Sequence, residues 1–186
     1  MDPDPLPFLV TTLVVNGVFA INIIVLCVLL IGSALISGAE VAMFGLSPTE
    51  IKELQDEKSA KSTILIKLLE RPKKLLATIL IANNAINIGV VLLFSIIGDT
   101  LFKNVNQVLF GVVSVRFLLE VVVATFLILM FGEILPKVYA NRNRMSFSHL
   151  MAFPLRVLDF LFAPLSLPVR SGTLFLYNKL GKQKSN

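Results

Sequence analysis

Residues 112–136 read VVSVRFLLEVVVATFLILMFGEILP, and this apolar run sets the class of the protein. It is long enough to cross a bilayer as a helix, which takes about 20 predominantly apolar residues. Two similar runs occupy about residues 17–44 and 75–98. The chain is 55% hydrophobic and 16% charged, whereas soluble proteins carry about 25% charged residues. The sequence therefore predicts an all-α integral membrane protein with three transmembrane helices.

Basic residues are distributed unevenly between these runs. The segment 48–74 contains seven lysine and arginine residues, whereas residues 99–107 contain only Lys103. Because positively charged residues favour the cytoplasmic side, we expect 48–74 to form a cytoplasmic helical segment. The prediction is a multi-pass protein of the cell membrane, with its N-terminus outside and its C-terminus in the cytoplasm.

The polar segment begins with a sequence motif that is typical of a helix N-terminus. The residues Ser47-Pro48-Thr49-Glu50 match a capping box with proline at the first helical position. We expect an amphipathic helix to begin there.

The transmembrane domain should comprise residues 1–145, and residues 146–186 should form a belt at the membrane surface. The stretch 151–169 is apolar enough for a fourth span. Such a span would place three lysines outside the cell, although basic residues favour the cytoplasmic side: Lys179, Lys182 and Lys184. Charged residues and prolines also interrupt it: Pro154, Arg156, Asp159, Pro164 and Pro168. We expect broken amphipathic juxtamembrane helices lying on the cytoplasmic interface of the lipid bilayer. The basic residues behind the net charge of +5 would then contact anionic lipid head groups. No nucleic acid is expected as a partner.

The carboxylate of Glu133 lies inside the third run. An ionised carboxylate near a bilayer centre costs roughly 2.5 to 3.5 kcal/mol, so it should face a partner, a cation or water. Pro136 has no N–H for the carbonyl four residues back, which belongs to Gly132. A carboxylate and a freed backbone oxygen at one depth are hard ligands suited to Mg²⁺, Ca²⁺ or Na⁺.

Polar side chains also recur inside the first two runs. Ser33, Ser37 and Glu40 share one helical face, and Asn83 and Asn87 share another. If these faces converge on the third run, they form an all-oxygen cage with one negative charge. Its members would be Ser33, Ser37, Asn83, Asn87, the Gly132 carbonyl and Glu133.

Simpler interpretations exist for most of these residues. Serines in membrane helices often bond their own backbone or permit close packing, and asparagines often join helices by hydrogen bonds, as Asn84 should. Glu40 can lie at a solvated mouth, and Arg116 and Glu120, four residues apart, can pair with each other. For Glu133 a functional role is the favoured interpretation, because ionisable residues inside membranes are usually functional.

Three motifs together resemble the membrane domain of the cyclin M and CorC family of Mg²⁺ transporters. They are SALISGAE at 33–40, NNAIN at 83–87 and FGEILPK at 131–137, in this order and with a basic segment between the first two. The resemblance implies three spans with juxtamembrane helices, a homodimer and Mg²⁺ efflux in exchange for Na⁺. It also implies an Mg²⁺ site at Ser33, Ser37, Asn83, Asn87, Gly132 and Glu133.

Members of that family continue into paired cytoplasmic CBS domains that bind nucleotide, and the resemblance implies them, with regulation by ATP, in the full-length protein. No enzymatic activity is expected, because three spans leave no room for a large catalytic domain. Two other functions fit the same residues. One is a metal-sensing regulatory subunit without a transport cycle. The other is a membrane anchor of a larger complex, such as a gliding-motility machine, in which Glu133 pairs with Lys137.

Overall fold

The computed structural model describes residues 5–163 apart from 104, 106, 107 and 110–112, and it describes side chains for 17–103, 105 and 114–163. The first four helices are α1 (Pro5–Phe44), α2 (Pro48–Glu57), α3 (Ala60–Leu69) and α4 (Pro72–Leu101). A two-residue antiparallel pair, β1 (Val108–Leu109) with β2 (Val113–Ser114), precedes α5 (Val115–Leu127), a π-helix (Ile128–Ile134), α6 (Leu135–Arg142) and α7 (Arg144–Leu161).

Among the described residues, three helical stretches are long and apolar enough to cross a membrane: Gly17–Phe44, Pro72–Leu101 and Val115–Arg142. Large apolar side chains stand exposed along them, including Ile24, Leu92 and Phe126, as lipid-facing residues do. The second stretch begins three residues before the predicted run, because proline fits the first position of a helix. The predicted fold class, all-α with three transmembrane helices, is confirmed.

The first of two compact units comprises residues 1–35 and 85–136. Its apolar core is built from α1, α4, α5 and the π-helix, so each of the three spans contributes. The buried members are Leu26, Val90, Phe94, Ile97, Ala124 and Ile128.

The second unit comprises residues 36–84 and 137–186. Within it α3 packs against α7, and Leu65 and Leu155 are fully buried. A Cβ at Gly38 would lie 2.9 Å from Phe147 Cε1, so a glycine is required for α1 to approach this ring. Arg144 Nη1 donates to the Gly45 carbonyl at 2.6 Å, which ties the start of α7 to the turn after α1.

The predicted capping box at the start of α2 is confirmed. The Glu50 backbone N–H donates to Ser47 Oγ at 3.3 Å, and the Ser47 N–H donates to Glu50 Oε2 at 2.7 Å. Pro48 occupies the first helical turn. These bonds satisfy backbone donors that the first turn of a helix leaves without partners.

The prediction that the helix of the belt segment is broken at Pro154, Arg156 and Asp159 is wrong. Helix α7 runs for 18 residues with Pro154 in its interior. A proline removes one backbone hydrogen bond, a loss that this helix accommodates. Asp159 Oδ2 accepts a bond from Lys74 Nζ at 2.7 Å, so its charge has a partner. Residues 164–186, with the remaining prolines and lysines of the belt, lie outside the described residues.

Candidate metal centre

A chain of side-chain hydrogen bonds joins the three spans within the first unit. Ser33 Oγ on α1 donates to Asn87 Oδ1 on α4 at 2.8 Å. Asn87 Nδ2 donates in turn to Glu133 Oε1, in the π-helix, at 3.3 Å. Ser33 is fully buried, and Asn87 and Glu133 are half-buried. The structure thus brings together one predicted site residue from each span.

Gly132 lies against the first member of this chain. A Cβ added at Gly132 would stand 2.9 Å from Ser33 Oγ and 3.3 Å from Ser33 Cβ. The missing side chain therefore allows the backbone of the third span to approach the Ser33 hydroxyl. Four predicted site residues, Ser33, Asn87, Gly132 and Glu133, form one cluster.

The backbone at this cluster is π-helical, a feature that hydropathy did not predict. The Leu135 N–H bonds the Met130 carbonyl, five residues back. The next donor in line would be Pro136, which has no N–H. In π-helical register its partner would be the carbonyl of Phe131, and in α-helical register that of Gly132. Pro136 therefore leaves one of these two carbonyls without its regular helical donor. Such π-helical turns often mark functional sites.

The side-chain oxygens of this cluster are of the type that hard cations prefer. The cluster offers one carboxylate with hydroxyl and amide oxygens, which suit Mg²⁺, Ca²⁺ or Na⁺ rather than a thiophilic metal. In the part of the chain that the structure describes, no three His, Cys, Asp or Glu residues lie together as a metal-binding group. Any cation here would therefore keep several of its waters, as Mg²⁺ usually does.

The other two predicted ligands belong to the second unit. Ser37 is fully buried, and its Oγ has no hydrogen-bond partner among the described residues. The interpretation that this serine bonds its own backbone therefore does not hold. Asn83 is half-buried, whereas Asn84 is exposed. The metal-binding role of Ser37 and Asn83 stays a prediction.

Glu40 also belongs to the second unit and has an ion-pair partner. Lys137 Nζ lies 3.2 Å from Glu40 Oε2, and both side chains are more than one-third exposed. Glu40 was expected at a solvated mouth, and an exposed pair of this kind fits that expectation.

A second polar cluster lies where α4 ends and α5 begins, in the first unit. Arg116 Nε lies 2.7 Å from Glu120 Oε1, which confirms the pairing indicated by their spacing. Arg116 also bonds Asp99. This contact was not predicted, because the two residues lie on different helices and their separation in sequence gives no sign of it. Glu120 is only 7% exposed, and a Cβ at Gly98 would lie 2.7 Å from its Cδ. This carboxylate is already paired with a cation, whereas no ion pair of Glu133 occurs among the described residues.

Known proteins share this membrane region. The chain is 30% identical over 139 residues to UPF0053 protein sll1254 of Synechocystis sp., an alignment covering 74% of this chain and 37% of the relative. It is 33% identical over 138 residues to a UPF0053 protein of Haemophilus influenzae, with 72% and 30% covered. The UPF0053 inner membrane protein YfjD of Escherichia coli is 29% identical over 149 residues, with 80% and 32% covered. The chain thus spans about a third of the length of these curated relatives.

The family description "Cyclin M transmembrane N-terminal domain" matches residues 24–186. That range includes all three motifs and the whole Ser33–Asn87–Glu133 cluster. This chain therefore belongs to the cyclin M transmembrane N-terminal domain family.

Proposed function

We propose that this membrane domain exports Mg²⁺ in exchange for Na⁺ by alternating access, as a homodimer. The observation that carries the proposal is the hydrogen-bonded chain from Ser33 through Asn87 to Glu133. An intramembrane carboxylate whose described partner is a neutral amide, rather than a basic residue, is available as a ligand for a cation.

Binding of a cation by these three side chains would need little movement. In the structure, the Asn87 amide turns its N–H groups toward Glu133 and its oxygen toward Ser33. Rotation of the amide by half a turn would place its oxygen beside Glu133 as a second ligand. The Ser33 hydroxyl, which can donate or accept, would then accept from the amide N–H.

The π-helix supplies a place where the third span can bend. Irregular turns with free carbonyls line ion sites in many transporters, where half-helices move relative to each other. Here the turn at Ile128–Ile134 contains Gly132 and Glu133 and is followed by Pro136. A bend at this position would move the carboxylate, and alternating exposure of the bound ion would follow.

Exchange requires Mg²⁺ and Na⁺ to compete for overlapping oxygens. Both are hard cations with the same ligand preference, and the cluster has one carboxylate to neutralise either ion. Binding of one ion would then disfavour the other, which couples their movements. We propose ATP regulation through CBS domains for the full-length protein and a cytoplasmic C-terminus for the domain.

Flux through proteoliposomes tests the proposal. Mg²⁺ transport by the wild-type chain should depend on an opposing Na⁺ gradient, and Glu133→Gln should reduce it by about ten- to a hundredfold, as loss of a metal-site partner commonly does. The matched control is Glu120→Gln, the same change on the same span, where Arg116 already neutralises the carboxylate. Equal loss in both variants, or full flux in Glu133→Gln, would refute the site.

The two other functions predict different results. A metal sensor would bind Mg²⁺ through Glu133 and yet give no flux in either gradient. A structural anchor, in the form that pairs Glu133 with Lys137, is disfavoured because the described ion pair of Lys137 is with Glu40.

A further inference from the structure

A cavity of about 700 Å³ lies in the second unit, between α3, the first turn of α4 and α7. Its size falls within the range of small-molecule sites. Four of its lining side chains are cationic: Lys67, Arg71, Lys74 and Arg156. Two are acidic, Glu70 and Asp159, so positive charge exceeds negative charge.

The cations of this cavity are not all neutralised. Lys74 is held by Asp159 at 2.7 Å. Within the described residues, Lys67, Arg71 and Arg156 form no ion pair. Arg71 and Arg156 contribute guanidinium groups, whose forked N–H donors match the oxygens of a phosphate.

The backbone adds to this positive field. Helix α4 begins at Pro72, at the wall of the cavity, and is 30 residues long. The N-terminus of a helix carries about half a positive elementary charge and free N–H groups. The dipole of α4 therefore favours an anion where the side chains already do.

The cavity also lies at the end of a candidate span. Pro72–Leu101 is one of the three candidate spans, so Lys74 and Leu75 of the lining belong to its first turn. On α7, the cavity-lining Phe153 is 48% exposed, and Val157 and Phe160 stand exposed one and two turns further along. Exposed apolar residues next to clustered cations are typical of helices lying at a lipid interface.

From these features we propose that the cavity binds a phosphate group, carried by the head group of an anionic phospholipid. Arg71 and Arg156 contact the phosphate oxygens, and the exposed phenylalanines contact the acyl region. The ion pair of Lys74 with Asp159 holds α4 and α7 in register around the site. This proposal is independent of the ion that the membrane domain transports.

Native mass spectrometry of the purified chain, released from nanodiscs, tests this site. The nanodiscs contain phosphatidylcholine alone or with phosphatidylglycerol, and a second arm adds inorganic phosphate to phosphatidylcholine nanodiscs. The variant is Arg71→Gln with Arg156→Gln. Its matched control is Lys52→Gln with Lys61→Gln, which removes the same charge from exposed positions outside the cavity lining.

The wild-type chain and the lysine control should retain phosphatidylglycerol, and the arginine variant should bind it about thirtyfold more weakly, at about fivefold per basic residue. Arginine-dependent binding of inorganic phosphate, without a preference for phosphatidylglycerol, would keep the phosphate site but refute the lipid as its source. Retention of both ligands by the arginine variant at wild-type level would overturn the proposal. If the double variant does not fold, Arg156→Gln alone, at an exposed position, should show the fivefold change.

Discussion

The side-chain amide of Asn87 donates a hydrogen bond to the Glu133 carboxylate at 3.3 Å while accepting one from Ser33 at 2.8 Å. One neutral residue thereby fixes the position of the intramembrane charge and connects it to the first span. The hydrogen bonds to Ser33 and to Glu133 together determine the orientation of the Asn87 amide. Asn87 should consequently affect Mg²⁺ binding more than a neutral ligand acting alone.

Asn87→Leu should weaken Mg²⁺ binding by about ten- to a hundredfold, because it removes one ligand and releases Glu133 from its position. The matched control is Asn84→Leu on the same helix, since Asn84 is exposed. Isothermal titration calorimetry with Mg²⁺ on the purified variants provides the measurement. Similar losses in the two variants would show that asparagine acts only through the folding of α4.

Gly132→Ala should destabilise the first unit by about 1 to 3 kcal/mol, since its Cβ would lie 2.9 Å from Ser33 Oγ. Gly89→Ala is the control. Its Cβ meets Leu29 Cδ1 at 3.5 Å, an ordinary contact, and alanine gains up to about 1 kcal/mol in a helix. Thermal unfolding in detergent should therefore separate the two glycines.

Combining Gly132→Ala with Ser33→Gly tests the reason for this effect. The double variant restores space but lacks the hydroxyl, so stability should return while Mg²⁺ binding does not. Recovery of Mg²⁺ affinity would mean that Ser33 serves packing alone.

Sequence reasoning predicted the features that depend on local pattern. Hydropathy predicted three spans, and the four-residue spacing of Arg116 and Glu120 indicated their pairing. Pro136 was recognised as a break in backbone bonding, but the π-helix was not, because α- and π-helical turns carry similar apolar patterns. Long-range partners such as Lys137 with Glu40 were missed, since they depend on how separate helices pack.

The Ser47 cap should give α2 a dependence on pH. The backbone N–H of Ser47, then its hydroxyl, hold the pKa of Glu50 below its ordinary value, with a smaller contribution from the charge of Arg144. Because the folded pKa is the lower one, this stabilisation is complete above the unfolded pKa, about 4.3. It is lost as the pH falls through the folded value.

Ser47→Ala should cost α2 about 1 kcal/mol at neutral pH. It should weaken this acid dependence without abolishing it, because alanine keeps the backbone N–H that bonds Glu50 and loses only the hydroxyl. The control is Ser59→Ala, whose capping box uses Ser62 and no carboxylate, so it should cost a similar amount at every pH. Hydrogen exchange of the α2 and α3 amides between pH 3 and pH 7 reports both. A parallel acid response in the two caps would rule out Glu50 as its source.

Topology gives a further prediction: the C-terminus should be cytoplasmic. Ser185→Cys lies outside the described residues, and Cys27 is exposed, so the test uses a Cys27→Ala background. An impermeant thiol reagent added to intact cells should label Ser185→Cys only after the membrane is opened. Labelling of intact cells would mean that the belt segment crosses the bilayer a fourth time.

Pro136→Ala should separate helix stability from transport. Alanine supplies the N–H that Pro136 lacks, and either the Phe131 or the Gly132 carbonyl can then take it as a regular helical bond. Thermal stability without Mg²⁺ should be unchanged or higher. Mg²⁺ flux should fall by about tenfold, the rate equivalent of about 1.4 kcal/mol, because the turn stiffens and one carbonyl is withdrawn from the ion.

Pro154→Ala is the control for this experiment, because Pro154 also lies inside a helix but outside the three candidate spans. It should raise the stability of α7 and leave Mg²⁺ flux near the wild-type rate. Flux retained in Pro136→Ala would assign Pro136 to packing alone. Flux lost equally in both variants would show that stiffening any helix of the domain slows transport, and the π-helix would then have no special place in the cycle.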